Sequence, residues 1–209
     1  MKCIAVVLVA VAFLNTTAFC VAAGPRTLVG TPNFAALSVE AAVSTAVVMA
    51  GHYELDSRSL TGQLDRIIPL ARGRQGANAA RRAVCLMYVL GQIRAARCVP
   101  AILAAIDLSP QWPGHKKTAI FIPLGWGYHP AVQFLVRIGQ PSVRAILKVL
   151  PNETNTLRRK LMVRVLVGVE GRAVTRFRLK RAIVKASTAA VKANLQAALR
   201  DMPPPAPRK

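Results

Sequence analysis

Arg81–Ile106 reads RRAVCLMYVLGQIRAARCVPAILAAI, and the fold follows from how this stretch divides. Ala79, Ala83, Leu86, Leu90 and Ile93 recur every three or four residues, which places them on one face of a helix. Val84, Cys85, Met87 and Val89 fill most of the remaining circumference, the pattern of a helix buried on several sides. Gly91 falls in the last turn, where the helix is expected to end. Arg94 and Arg97 lie in the connection, near the free carbonyls of a helix terminus. A second helix begins near Cys98 and carries Val99, Ile102, Leu103 and Ile106. Pro100 fits its first turn, where the missing N–H is not needed. So short a connection sets the two helices antiparallel.

Part of this hairpin returns downstream. Val99–Ile106, VPAILAAI, and Val143–Leu150, VRAILKVL, share Val, Ala, Ile and Leu at the same positions, 44 residues apart. Leu135–Gly139, LVRIG, echoes Val89–Ile93, VLGQI, in shape though not in register. Pro130 follows His129 at an expected helix start, so His129 reads as a helix-start residue rather than a ligand. A helix–Gly–turn–helix unit that recurs is the mark of a helical solenoid.

Ala83, Leu86, Leu90, Gly91, Ile93, Val99, Pro100, Ile102 and Leu103 together resemble a HEAT repeat, of the short type related to phycobilisome-lyase repeats. A weaker copy runs through Leu135, Ile138, Gly139, Pro141, Val143, Ile146 and Leu147. The resemblance covers roughly Leu60–Leu199. It implies an all-α α-solenoid of about three to four antiparallel HEAT-like hairpins, spanning residues 38–200. HEAT-like folds serve mostly as binding scaffolds, and function drawn from them is analogy. The alternative is an ordinary helical bundle.

Residues 1–23 read as a secretory signal peptide. Lys2 supplies the positive charge, Cys3–Leu14 the apolar run, and Val21 and Ala23 the small residues before a cut at Gly24. An uncleaved membrane anchor and a lipoprotein acylated at Cys20 are the other readings, and bulky Phe19 argues against the second. Export places the chain in the periplasm or outside the cell. Residues 24–37 form a flexible lead-in. Ser38 caps a helix running to Ala50 and stopped by Gly51, with Glu40 near its positive end. Leu60–Ala71 is a second helix with Leu64, Ile67, Ile68 and Leu70 inward, and Arg72–Asn78 is a turn. Cys85 and Cys98 lie too far apart along the hairpin for a disulfide and read as two buried thiols.

Residues 108–128 interrupt the repeat with prolines and glycines. The insertion gathers Trp112, Phe121, Trp126 and Tyr128, read as an apolar anchor for a partner. The competing reading folds these aromatics back over the edge of the stack. The stretch 152–168 becomes a helix with Leu157, Leu161, Val165 and Leu166 inward and Arg158, Arg159 and Lys160 outward. Ala173–Lys185 packs Val174, Phe177, Leu179, Ala182, Ile183 and Val184, and Ala189–Leu199 closes the domain. Residues 201–209 are a proline-rich tail.

The formal net charge is +21, and it is uneven: 17 basic and 3 acidic residues lie from Arg137 onward. Arg172, Arg176 and Lys180 are spaced four apart, with Arg181 beside them. With Arg158, Arg159 and Lys160 they are expected to form a positive surface that attracts polyanions. A solvated face that reflects only composition is the other reading. The three histidines have no metal-ligand spacing, the carboxylates form no pair, and no phosphate loop or activated nucleophile is recognisable. Neither a catalytic residue, a metal site nor a cofactor is expected. The chain reads as a non-enzymatic extracytoplasmic scaffold for a protein or peptide partner, acidic in character. The alternative is an electrostatic binder of polyanions or an anionic envelope surface. Nucleic acid and small-molecule substrates are not expected partners.

Overall fold

The structure is a computed structural model that describes residues 31–50, 55–73, 76–110 and 129–204. Among the described residues the regular structure is helix, with no strand. The helices are α1 (Val39–Met49), α2 (Ser57–Ala71), α3 (Gly76–Gln92), α4 (Val99–Ala104), α5 (Pro130–Ile138), α6 (Gln140–Val149), α7 (Thr156–Glu170), α8 (Arg172–Val184) and α9 (Ala189–Arg200). Short 3-10 turns precede α4 (Ala96–Cys98) and follow α6 (Leu150–Asn152). The expected all-α class is what forms. The signal segment, Gly51, and Trp112, Phe121, Trp126 and Tyr128 lie outside the described residues.

The chain supplies its own start signals. Ser38 Oγ accepts from the Ala41 N–H at 3.1 Å, and Asp56 Oδ1 from the Arg58 N–H at 2.9 Å. Asn155 Oδ1 accepts from Arg158 N–H and Thr188 Oγ1 from Val191 N–H. Each such cap stabilises its helix by about 1 kcal/mol. Pro100, Pro130 and Pro141 occupy first turns of α4, α5 and α6. Two hairpins turn in a single residue: Gly139 (φ 84°) joins α5 to α6 and Gly171 (φ 80°) joins α7 to α8. Residues with a Cβ avoid this conformation, so both positions require glycine.

The α3–α4 turn works differently. Arg94, at φ 51°, takes the left-handed position after α3. The Ala95 N–H then reaches the Leu90 carbonyl at 3.0 Å, and the Arg94 N–H reaches Gly91 O at 3.3 Å. These bonds satisfy the last carbonyls of α3. Gly91 sits inside the last turn, as expected from its place near the helix end, and there it also forms a notch for α5. A Cβ there would come within 3.0 Å of Phe134 Cβ. Tyr88 meets the same Phe134 ring edge-on at 6.0 Å.

Helices α1, α3, α5 and α7 contact one another in succession, and α2, α4 and α6 do likewise beside them. α8 packs on α7 and α9. α9 returns to the turn after α6, where Asn194 Nδ2 donates to the Pro151 carbonyl at 3.0 Å. The echoed positions fill the core in both copies. Val99, Ile102 and Ile106 are buried, as are Val143, Ile146 and Leu150.

Several expectations fail at the edges. Residues 31–37 are not loose: Phe34 is fully buried, its N–H donates to Gln63 Oε1, and Gln63 Nε2 donates to the Pro32 carbonyl. The turn after α2 is shorter than read, since α3 starts at Gly76. Leu70 and Leu157 face solvent rather than the core, as do Val174, Phe177 and Val184. On each of these helices the inward arc is already filled by neighbours such as Ile67, Leu161 and Leu179.

Cys85 and Cys98 are both free and buried. Burial pushes each thiol up to about 12, away from the thiolate form. Cys98 Sγ also donates to the Ala95 carbonyl. In a chain with Cys3 and Cys20 replaced by Ser, neither buried thiol is expected to react with an aromatic disulfide reagent at pH 8. Both should react once the chain is unfolded in denaturant, which a thiol titration before and after unfolding reads directly.

Candidate functional site

The two copies of the echo meet across an open groove of about 930 Å³. Pro100, Leu103 and Ala104 of α4 form one wall. Ala145, Leu147 and Val149 of α6, with Arg144 and Lys148, form the other, and Arg158 of α7 also lines it. The division follows the alignment of the two copies. Their shared residues Val99/Val143 and Ile102/Ile146 are core, whereas Pro100/Arg144 and Ala104/Lys148 are exposed and face the groove. Pro100 and Ala104 lie one helical turn apart on α4, as do Arg144 and Lys148 on α6, so one wall is small and apolar and the other presents two cations about 6 Å apart along the axis.

Arg158 belongs to a clamp at the C-terminus of α4. Its guanidinium donates from Nη1 to the Ala104 carbonyl (3.0 Å) and from Nη2 to the Leu103 carbonyl (3.2 Å). Arg72, just after α2, donates to the same Ala104 carbonyl at 2.6 Å. Asp107 Oδ1 lies between the two guanidinium groups, 2.9 Å from Arg158 and 3.1 Å from Arg72. Glu153 Oε2 holds the other side of Arg158 at 3.0 Å. Carbonyls without helical partners, at the negative end of the dipole, are where cations belong.

This overturns the expectation that Arg158 and Arg159 point outward. Arg159 is buried and pairs with Asp201 at 2.8 Å, which ties α7 to the end of α9. Buried guanidinium groups require such partners. Arg178 pairs with Glu170, whose side chain is almost fully covered. Thus Asp107, Glu153, Glu170 and Asp201, all the carboxylates from residue 107 onward, are engaged internally. Lys160 is exposed on α7, while Arg176, Lys180 and Arg181 are exposed on α8. Arg172 is half-buried and its Nη1 has no hydrogen-bond partner among the described residues. The expected continuous positive surface therefore shrinks to these exposed cations, and Arg144 and Lys148 form a second group at the groove.

His129 stands at the start of α5 without capping it. Burial and nearby Arg164 pull its pKa down, against the smaller opposite pull of Asp107. Among the described residues no three His, Cys, Asp or Glu side chains come together as a metal site, and no helix is long and apolar enough to cross a membrane. No family model matches the chain, nor does any curated protein or solved structure.

The groove cations were missed in the sequence because charge was sought where it was densest. The signal was present in the differences between the two copies, where Arg144 and Lys148 replace Pro100 and Ala104. Structural and free cations should separate in thermal unfolding. Arg158→Met is expected to cost about 1–3 kcal/mol and several degrees in Tm, since it removes two donors from α4 and leaves the part-buried Glu153 and Asp107 carboxylates without this partner. Lys148→Met should leave Tm within about a degree, because it removes no internal contact.

Proposed function

We propose that this chain is an exported, non-enzymatic scaffold of HEAT-like hairpins that binds a protein segment in the α4–α6 groove. The row order of the helices and the paired glycine turns at Gly139 and Gly171 favour a short solenoid over an unordered bundle. The observation that carries the binding reading is the asymmetry of the groove, with an apolar wall from α4 facing Arg144 and Lys148. Among the described residues no carboxylate lines it. A segment that places apolar side chains against Leu103 and Leu147 and a carboxylate pair toward Arg144 and Lys148 is complementary in both shape and charge. The preformed wall adds specificity without ordering the scaffold itself.

The test is fluorescence polarisation with labelled synthetic peptides, an amphipathic Leu/Glu series against a Leu/Lys series of the same pattern. The acidic series should bind and the basic series should not. Arg144→Glu combined with Lys148→Glu should weaken the acidic series by at least about tenfold. Binding that ignores the sign of the peptide, or that survives this substitution, would remove the groove from the account.

A further inference from the structure

Helix α8 carries a second feature that the groove does not use. Its inward arc is Thr175 and Leu179, both buried, with Ala182 and Ile183 partly covered beside them. On the opposite side Phe177 is 65 % and Val184 85 % exposed, with Val174 at 44 %. At about 100° per residue, Phe177 and Val184 project within about 20° of one another. Lys180 and Arg176 flank them on one side, and Arg181 and Lys185 on the other, all exposed. No acidic residue occurs on α8 or α9. The nearest in sequence, Glu170 and Asp201, are covered by Arg178 and Arg159.

The pattern is amphipathic twice over. One face of α8 belongs to the protein core, and the other pairs a narrow apolar strip with two cationic borders. Protein interface cores are depleted in lysine, and three apolar side chains are a small anchor for a protein partner. A planar anionic lipid surface suits both parts: the strip enters the headgroup boundary while the lysines and arginines stay at phosphate level. We propose that the outer face of α8 docks on anionic bilayers, with Phe177 and Val184 inserting and Arg176, Lys180, Arg181 and Lys185 contacting lipid phosphates. This surface is separate from the α4–α6 groove and stands or falls independently of it.

The N-terminal apolar stretch can itself partition into lipid, so the test reads α8 locally in the full chain. The chain has two tryptophans, Trp112 and Trp126. Both are replaced by Phe, and Phe177→Trp then gives a single reporter. Vesicles are phosphatidylcholine alone, or phosphatidylcholine mixed with phosphatidylglycerol, each brominated along the acyl chains. The reporter is expected to shift to the blue and be quenched on the mixed vesicles only. Adding Arg176→Gln, Lys180→Gln and Arg181→Gln should weaken that response at least about fivefold. Val184→Trp reads the same face if the first reporter does not fold. A reporter that keeps its solvent emission while the chain sediments with the vesicles overturns the proposal. An equal response on uncharged vesicles, or none until a soluble polyanion is added, overturns it as well.

Discussion

The C-terminus of α4 must find donors for its last carbonyls, and that constraint holds the structure together. The helix is only six residues long, too short to be stable alone. Its Ala104 carbonyl receives Arg72 from the end of α2 and Arg158 from α7, and Asp107 holds both guanidinium groups in place. Elements from three parts of the chain thus converge on a single helix end. The same clamp fixes Arg158 beside the groove, so the geometry of the candidate site depends on a contact made for stability.

The scarcity of carboxylates gives this arrangement its wider consequence. With 29 basic and 8 acidic residues, the chain cannot neutralise itself. It spends its carboxylates from Asp107 onward on arginines within the fold, where an unpaired charge is most costly. Among the exposed cations left over, two groups stand beside apolar surface. At the groove they stand opposite an apolar wall; on α8 they border an apolar strip. Charge and apolar surface together describe a partner more narrowly than either does alone.

Much of the helical framework was legible because it rests on local signals. Ser38, Pro100, Pro130 and Gly139 mark boundaries through their own backbone chemistry, and the VPAIL/VRAIL echo marks two equivalent buried faces. What failed to read was the outward or inward sense of long side chains. Arg159 lies on an arc that periodicity leaves ambiguous, and only the distant Asp201 makes burial tolerable. Phe177 carries the period of a core residue, yet α8 has too few neighbours to cover it. Gly91 reads as a last-turn residue, but its sequence neighbours say nothing of Phe134 approaching from another helix. These are long-range facts, and no local pattern encodes them.

A double-mutant cycle between Asp107 and Arg158 tests the central claim most directly. Unfolding free energies are measured for the native chain, Asp107→Ala, Arg158→Met and the combined variant. If the clamp organises α4 and its groove, the two positions are coupled by at least about 1 kcal/mol. Additive losses, with coupling inside about 0.3 kcal/mol, would contradict the account and leave Arg158 as another surface cation.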